Sequence, residues 1–491
     1  MLLRTLKHAS GAGWAFEGND YGEAGAGHFY RPFWLLWNDA IYALFGARAM
    51  AFHVGNLALY LGVCLEVWLL ARRLAGEQAA WIASIGFALY PRHGESVAWI
   101  SGSTDLTAVV LGLGAVLCAI SPWRLSVRLV AATALTVAAA LSKEVVFVLP
   151  LLVAALFLLA PLGGVRRQAR RDWVLPGAMA LGVLGVAIVR DHVIGGVGGY
   201  TAYPWTLVRA VAVLATYVVA AVTPPDLQLL RYKVALALPP LVLALAAWRV
   251  ISLRRGGEDE RVKLVFFGAA WFGISLLPLL NIGVDLNNAN GERLMFLGTV
   301  GLALLFAGLI RPGGARGATV LAAAAALVFG LSALSAADWI GADRLSNRVL
   351  DDAVALAPDG GKLVLLSVPE NYRTAHVFTG GDMSAALEHA GASQLTTSFC
   401  THVVVWHDRS GQIRFTRRSD GSYVGTTTLD APFDVPVLRP AEPVSSDCPY
   451  ATGHAPDSNT GMAVTAIVVP QLPSSPAIVA YFDGHDLQRC C

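Results

Sequence analysis

Four short polar strings interrupt the apolar first third of the chain. They are HFYRPFW (His28–Trp34), FHVGN (Phe52–Asn56), LYPRHGESVAWISG (Leu89–Gly102) and LSKE (Leu141–Glu144). Charge beside long apolar runs is costly, so it marks a functional site by default. In the first string, Arg31 carries a rigid, permanently charged fork that matches phosphate oxygens, with His28 and Tyr30 beside it. The competing reading of Arg31 is an arginine that anchors the following helix at the lipid headgroups. In the third string, His93 and Glu95 could bind a metal, polarise a phosphate or position an acceptor, or simply cap a turn. Two ligands two residues apart do not specify a metal site, and a divalent cation stays open. Asp105 lies inside the next apolar run and needs a partner there. Lys143 and Glu144 occupy a tight turn between two apolar stretches. Lys143 could meet an anionic substrate with Glu144 pairing to it, or both could be a charged hairpin tip. Glu292 and Arg293 follow Asn287, Asn288 and Asn290 at the start of another apolar run, where Glu292 also favours the helix dipole. Arg190 and His192 close a further run.

The elements that must position these residues are membrane helices. Of 491 residues, 55% are hydrophobic and 14% charged, against about 25% charged in soluble domains, and the mean hydropathy is +0.57. A net charge of +2 excludes nucleic acid as an expected partner. A spanning helix takes about 20 apolar residues. Candidates are Ala51–Ala71, Gln78–Tyr90, Ile100–Ile120, Leu125–Leu141, Val145–Pro161, Trp173–Val189, Val234–Ile251, Val262–Ile282, Arg293–Ile310 and Ala318–Ile340, about ten spans. Phe33–Phe45 suits an interfacial helix. Thr206–Val222 is apolar but is expected not to cross. With it excluded, all five basic loops fall on the cytoplasmic side, and every polar string falls outside. No cleavable signal peptide is visible in Met1–Pro32.

Composition then divides the chain into an extracytoplasmic loop with an interfacial helix (1–50), a multi-span membrane domain (51–340) and a soluble, β-rich or α+β extracytoplasmic domain (341–491). The last part carries β-like runs at Leu363–Val368, His402–Trp406, Ile413–Arg418, Ala463–Val469 and Ala477–Phe482, separated by turn signals. Its cysteines, Cys400, Cys448, Cys490 and Cys491, lack the paired spacing of a zinc site, and disulfides in an oxidising compartment are a better reading for them than free thiols. No Walker A loop, Rossmann glycine fingerprint, H-E-x-x-H or G-x-S-x-G motif is present.

Taken in order, YRPFWLLWNDAIYALFG, FHVGN, ALYPRHGESVAWISGSTDL, LSKE-x4-LP and NGERLMFL resemble the polytopic glycosyltransferases of the C-type fold. The resemblance is to the protein O-mannosyltransferase-like branch with its transmembrane-and-TPR members and bacterial relatives. It covers Leu2 to Ile310. It implies an α-helical polytopic enzyme that takes a sugar from a polyprenyl-phosphate donor on the extracytoplasmic face of a bilayer, in bacteria the cytoplasmic membrane, and passes it to a protein or glycan acceptor. A carboxylate would activate the acceptor hydroxyl, and fixed cations would stabilise the leaving phosphate. Asp20, Glu95 and Asp105 are the expected catalytic carboxylates. His28, Tyr30, Arg31, His93, Lys143, Glu144, Glu292 and Arg293 are the expected substrate contacts.

The pattern departs from the family in three places. The opening MLLRTLKHASGAGWAF resembles sequence downstream of the family's first helix and acidic pair, and Asp20 and Glu23 do not match that pair. Ser103 stands where an arginine is usual after ISG. Tyr60 stands where a histidine is usual four residues after the asparagine of FHVGN. These departures keep open a catalytically inactive relative that binds or transports a lipid-linked sugar, or a structural membrane subunit.

Overall fold

Runs of Ala, Leu and Val with few polar side chains satisfy their backbone groups internally by forming helices, as a bilayer requires. The structure, a computed structural model, describes residues 15–16, 29–159, 170–195, 206–223, 232–284, 291–310, 314–357, 361–378, 382–405, 412–427, 438–440, 452–454, 466–472 and 478–491. Helix α1 is Pro32–Phe45, α2 Ala49–Ala88, α3 Ser103–Ala119, α4 Leu125–Ala140, α5 Leu149–Leu159 and α6 Val174–Ile194. Then come α7 Leu207–Val222, α8 Tyr232–Arg255, α9 Asp259–Leu276, α10 Phe296–Leu309 and α11 Gly314–Leu356.

Among the described residues, six helical stretches are long and apolar enough to cross a membrane: Ala49–Ala88, Ile100–Ala119, Arg170–Ile194, Asp259–Leu279, Glu292–Leu309 and Gly317–Leu356. The chain is a membrane protein. Three shorter apolar helices, Leu125–Ala140, Glu144–Leu159 and Leu207–Val222, accompany them. The first long stretch is not one rod. Gly76 sits at φ +84°, a left-handed conformation that glycine adopts without steric cost. The chain folds back there, so that Ser84 donates to the Cys64 carbonyl at 2.9 Å and Trp81 meets Trp68 at 5.8 Å between ring centroids. The two apolar runs expected at 51–71 and 78–90 are therefore the arms of one hairpin.

The helices share one apolar core running from Tyr60 to Ala307. At one helical end lie basic side chains that cap neighbouring helices. Arg73 donates to the Leu117 carbonyl at 2.8 Å, Arg128 pairs with Asp172 at 3.2 Å, and Arg261 donates to Gln78 at 2.9 Å. The polar strings lie at the opposite end.

Helix α11 continues past position 340 to Leu356, and the strands begin only at Gly361. They are β1 Gly361–Leu365, β2 Val368–Tyr372, β3 Ala375–His376, β4 Leu395–Phe399, β5 Thr401–Val405 and β6 Ile413–Arg417. After these come β7 Tyr423–Thr427, β8 Leu438–Pro440, β9 Thr452–His454, β10 Ala466–Val469, β11 Ile478–Phe482 and β12 Leu487–Arg489. Among the described residues they make three four-stranded sheets, ordered β12-β11-β1-β4, β6-β7-β10-β9 and β3-β2-β5-β8. Parallel β1–β4 and β1–β11 pairs leave the first sheet buried among its own apolar residues. Within the strand-rich part Cys490 is disulfide-bonded to Cys491, and Cys400 is also disulfide-bonded. Cys64 and Cys118, in the helices, are free.

Candidate functional site

The polar strings meet at the end where α3 begins and α4 ends. Helix α3 is preceded by a folded connection: a single turn at Pro91–His93, a short helix Gly94–Ala98 and another turn at Ile100–Gly102. Gly102 makes this fold possible. A Cβ there would come within 2.5 Å of the Glu95 carbonyl and 2.7 Å of the Ser96 carbonyl. Asn56 of α2 ties the connection down, donating to the carbonyls of Val97 at 3.2 Å and Trp99 at 3.1 Å. Trp34 of α1 donates to Ser103 Oγ at 2.7 Å, so Ser103 docks α1 against the start of α3.

Asp105, in the first turn of α3, is buried and takes the ammonium of Lys143 on Oδ2 at 2.5 Å. Its other oxygen, Oδ1, has no hydrogen-bond partner among the described residues. Arg31 and Arg293 also lie within electrostatic reach of this carboxylate. Next to Lys143 in the chain, Glu144 accepts from Arg31 at 2.7 Å and from Arg190 at 3.3 Å. Phe29 lies 4.1 Å from the Arg31 guanidinium. Four segments distant in sequence, 29–31, 103–105, 143–144 and 190, thus deliver three cations and two carboxylates to one place.

A second group adjoins it. Glu95 pairs with the Arg293 side chain, accepts from the Arg293 backbone N–H at 2.8 Å, and lies 3.7 Å from His376 Nε2 of β3. Burial would raise this carboxyl, but Arg293 and His376 outweigh it and hold it down at about 2. Arg293 also lies over the Trp99 ring at 4.6 Å. Beyond it, buried Arg92 pairs with Glu292 and donates to the Thr223 carbonyl at 2.7 Å, joining the connection to the end of α7.

His93 belongs to neither group. Its Nδ1 is 2.9 Å from the Tyr60 hydroxyl and its Nε2 2.9 Å from the Thr299 hydroxyl. Phe87, Tyr90 and Phe296 surround its ring. Burial drives its pKa down to about 3, so the ring is neutral.

Compared with known proteins, the chain matches no protein-family model and no curated protein. The site therefore rests on its own geometry. Asp20 and His28 lie outside the described residues. Tyr30 is buried beside Arg31. Arg31, Asp105, Lys143 and Glu144 come together, with Glu95 and Arg293 adjoining and Glu292 one pair further out. Among the described residues no group of three or more His, Cys, Asp or Glu side chains is placed to hold a metal ion. Sequence reasoning passed over Arg92, although it stands inside a string already singled out. It had no means of finding His376, which is 281 residues (376 − 95) from its partner Glu95.

Proposed function

We propose that the chain is a membrane glycosyltransferase that moves a sugar from a polyprenyl-phosphate donor to an extracytoplasmic protein or glycan acceptor. The observation that carries this reading is the buried Asp105 carboxylate, with one oxygen unpartnered among the described residues, set among Lys143, Arg31 and Arg293. Asp105 takes the proton of the acceptor hydroxyl. That oxygen bonds to the anomeric carbon as the bond from this carbon to the phosphate oxygen breaks, and polyprenyl phosphate leaves with its electron pair. Arg31, Arg190 and Lys143 stabilise the phosphate charge, the largest contribution such sites usually make. Glu95, already clamped by Arg293, keeps the connection in place, and Tyr30, buried beside Arg31, flanks the phosphate contact. The C-type fold with about ten spans fits this reading: the two arms of α2 count separately, and α4, α5 and α8 cross with the longer helices.

A second reading, binding of a lipid-linked sugar without transfer, is favoured by one observation. Asp105, the carboxylate that transfer would use to take the acceptor's proton, is already ion-paired with Lys143 and is not free to act as a base. Transfer of labelled hexose from a polyprenyl-phosphate donor, followed in proteoliposomes, separates the two. Wild type should transfer, and Asp105→Asn should lose at least about a hundredfold in rate while donor binding persists. Donor binding by wild type with no transfer to any acceptor would establish the second reading instead.

A further inference from the structure

Where β2 and β3 meet the Glu95–Trp99 connection and α11, four buried polar side-chain positions lack hydrogen-bond partners among the described residues. They are Ser96 Oγ, Trp339 Nε1, His376 Nδ1 and both amide atoms of Asn371. Buried polar groups are nearly always satisfied, so such a concentration at one seam calls for a missing partner. The positions are neighbours. Asn371 and His376 are directly opposite across the antiparallel β2–β3 pair, which puts both side chains on one face. The His376 ring lies 6.0 Å from Trp99 and 6.4 Å from Trp339. Trp339 Nε1 lies 2.8 Å from where a Cβ on Gly94 would stand, two residues before Ser96.

We propose that this seam is a binding subsite for a neutral sugar ring. The atoms on offer select that chemistry. An amide, a hydroxyl, an indole N–H and an imidazole nitrogen both donate and accept, which matches hydroxyl groups. Among the described residues the arginines beside the seam are already paired, Arg293 with Glu95 and Arg373 with Asp338, so a neutral ligand fits better than an anion. Two half-buried indoles, Trp99 and Trp339, flank His376 and present flat apolar surface to the C–H faces of a pyranose. One face of Trp99 is taken by Arg293. Few polar groups among aromatic walls is the ordinary make-up of a small-ligand site. Asn371 is 0% exposed and the His376 side chain 9%, so the ring enters by parting β2–β3 from the connection. Glu95 links the subsite through Arg293 to the neighbourhood of Asp105, where an acceptor hydroxyl is needed. Naming this sugar as the acceptor rests on the transferase reading; the subsite does not.

The test uses the full chain in a detergent without a sugar headgroup. Mannotriose, maltotriose and chitotriose are titrated separately by calorimetry and saturation-transfer NMR, with glucose 6-phosphate as the anionic control. At least one neutral trisaccharide should bind with a Kd of about 1 mM or tighter, and Asn371→Leu and Trp339→Phe should each weaken it about tenfold or more. Asn371→Leu should not lower the melting temperature, because it removes two unsatisfied buried groups. If Asn371→Leu does not fold, Trp339→Phe decides by the same criterion. The proposal is overturned if no neutral trisaccharide binds at about 50 mM, as when ordered water alone fills the seam, if only the anion binds, or if the folded variants keep wild-type affinity. Sugar binding without transfer would leave the subsite standing and remove the transferase reading; transfer without sugar binding would do the reverse.

Discussion

Replacing Lys143 by methionine probes the centre of the site most directly. Lys143 and Asp105 are each 1% exposed and 2.5 Å apart. Removing one partner of a buried ion pair costs about 3–5 kcal/mol, because the other charge is left in a medium that cannot solvate it. Arg31 and Arg293 remain within reach of Asp105, so Lys143→Met should fall at the lower end, about 3 kcal/mol. Adding Asp105→Asn removes the stranded charge, and the double variant should recover about 2 kcal/mol or more, an interaction visible only in a double-mutant cycle. Unfolding by SDS titration in mixed micelles, followed by loss of helical circular dichroism, measures all four corners of the cycle. A loss below about 1 kcal/mol for Lys143→Met, the size of an exposed pair, would refute the buried-pair reasoning. So would a double variant no more stable than the single one.

Acid should unfold the protein through His93. Burial holds its ring near 3 against the usual 6.5, so below 6.5 the unfolded chain takes up a proton that the folded state refuses. Stability is complete above 6.5 and falls by up to about 1.4 kcal/mol per pH unit as pH drops toward 3. His93→Asn should flatten that slope in pH-dependent melting, and identical slopes in the two proteins would discount His93. Helix packing makes a further prediction. A Cβ on Gly268 of α9 would meet Leu305 N at 2.5 Å and the Gly301 carbonyl of α10 at 2.6 Å, whereas one on Gly273 meets nothing within 4 Å. Gly268→Ala should therefore cost about 1–3 kcal/mol, while Gly273→Ala should be neutral or stabilise by up to about 1 kcal/mol. Equal melting temperatures for the two variants would contradict the close approach of α9 and α10.

The membrane class, the apolar runs and the strings that hold the charged site were legible in the chain itself. The reason is that a bilayer tolerates few polar side chains, so Arg31, Asp105, Lys143 and Glu144 stood out against their surroundings. The run of strands after α11 was legible from alternation and turn residues, although α11 itself extends beyond the composition change at Gly341 because a helix can carry polar residues once it leaves the apolar core. Pairing was not legible. Nothing in local spacing says that Asp105 meets Lys143 rather than Glu144, that Arg190 shares Glu144 with Arg31, or that His93 faces Tyr60 and Thr299 instead of Glu95. Those partners are set by which helix ends pack together, and packing depends on contacts such as Gly268 against Gly301 and Gly102 against Glu95 that no single segment encodes. The turn at Gly76 shows the same division. A glycine between two apolar runs permits a reversal, but only the tertiary contacts of Trp68 with Trp81 and of Ser84 with Cys64 make it one. His376 shows it most fully, because a residue of the strand-rich part reaches the membrane site only once α11 and β2–β3 are placed against the connection.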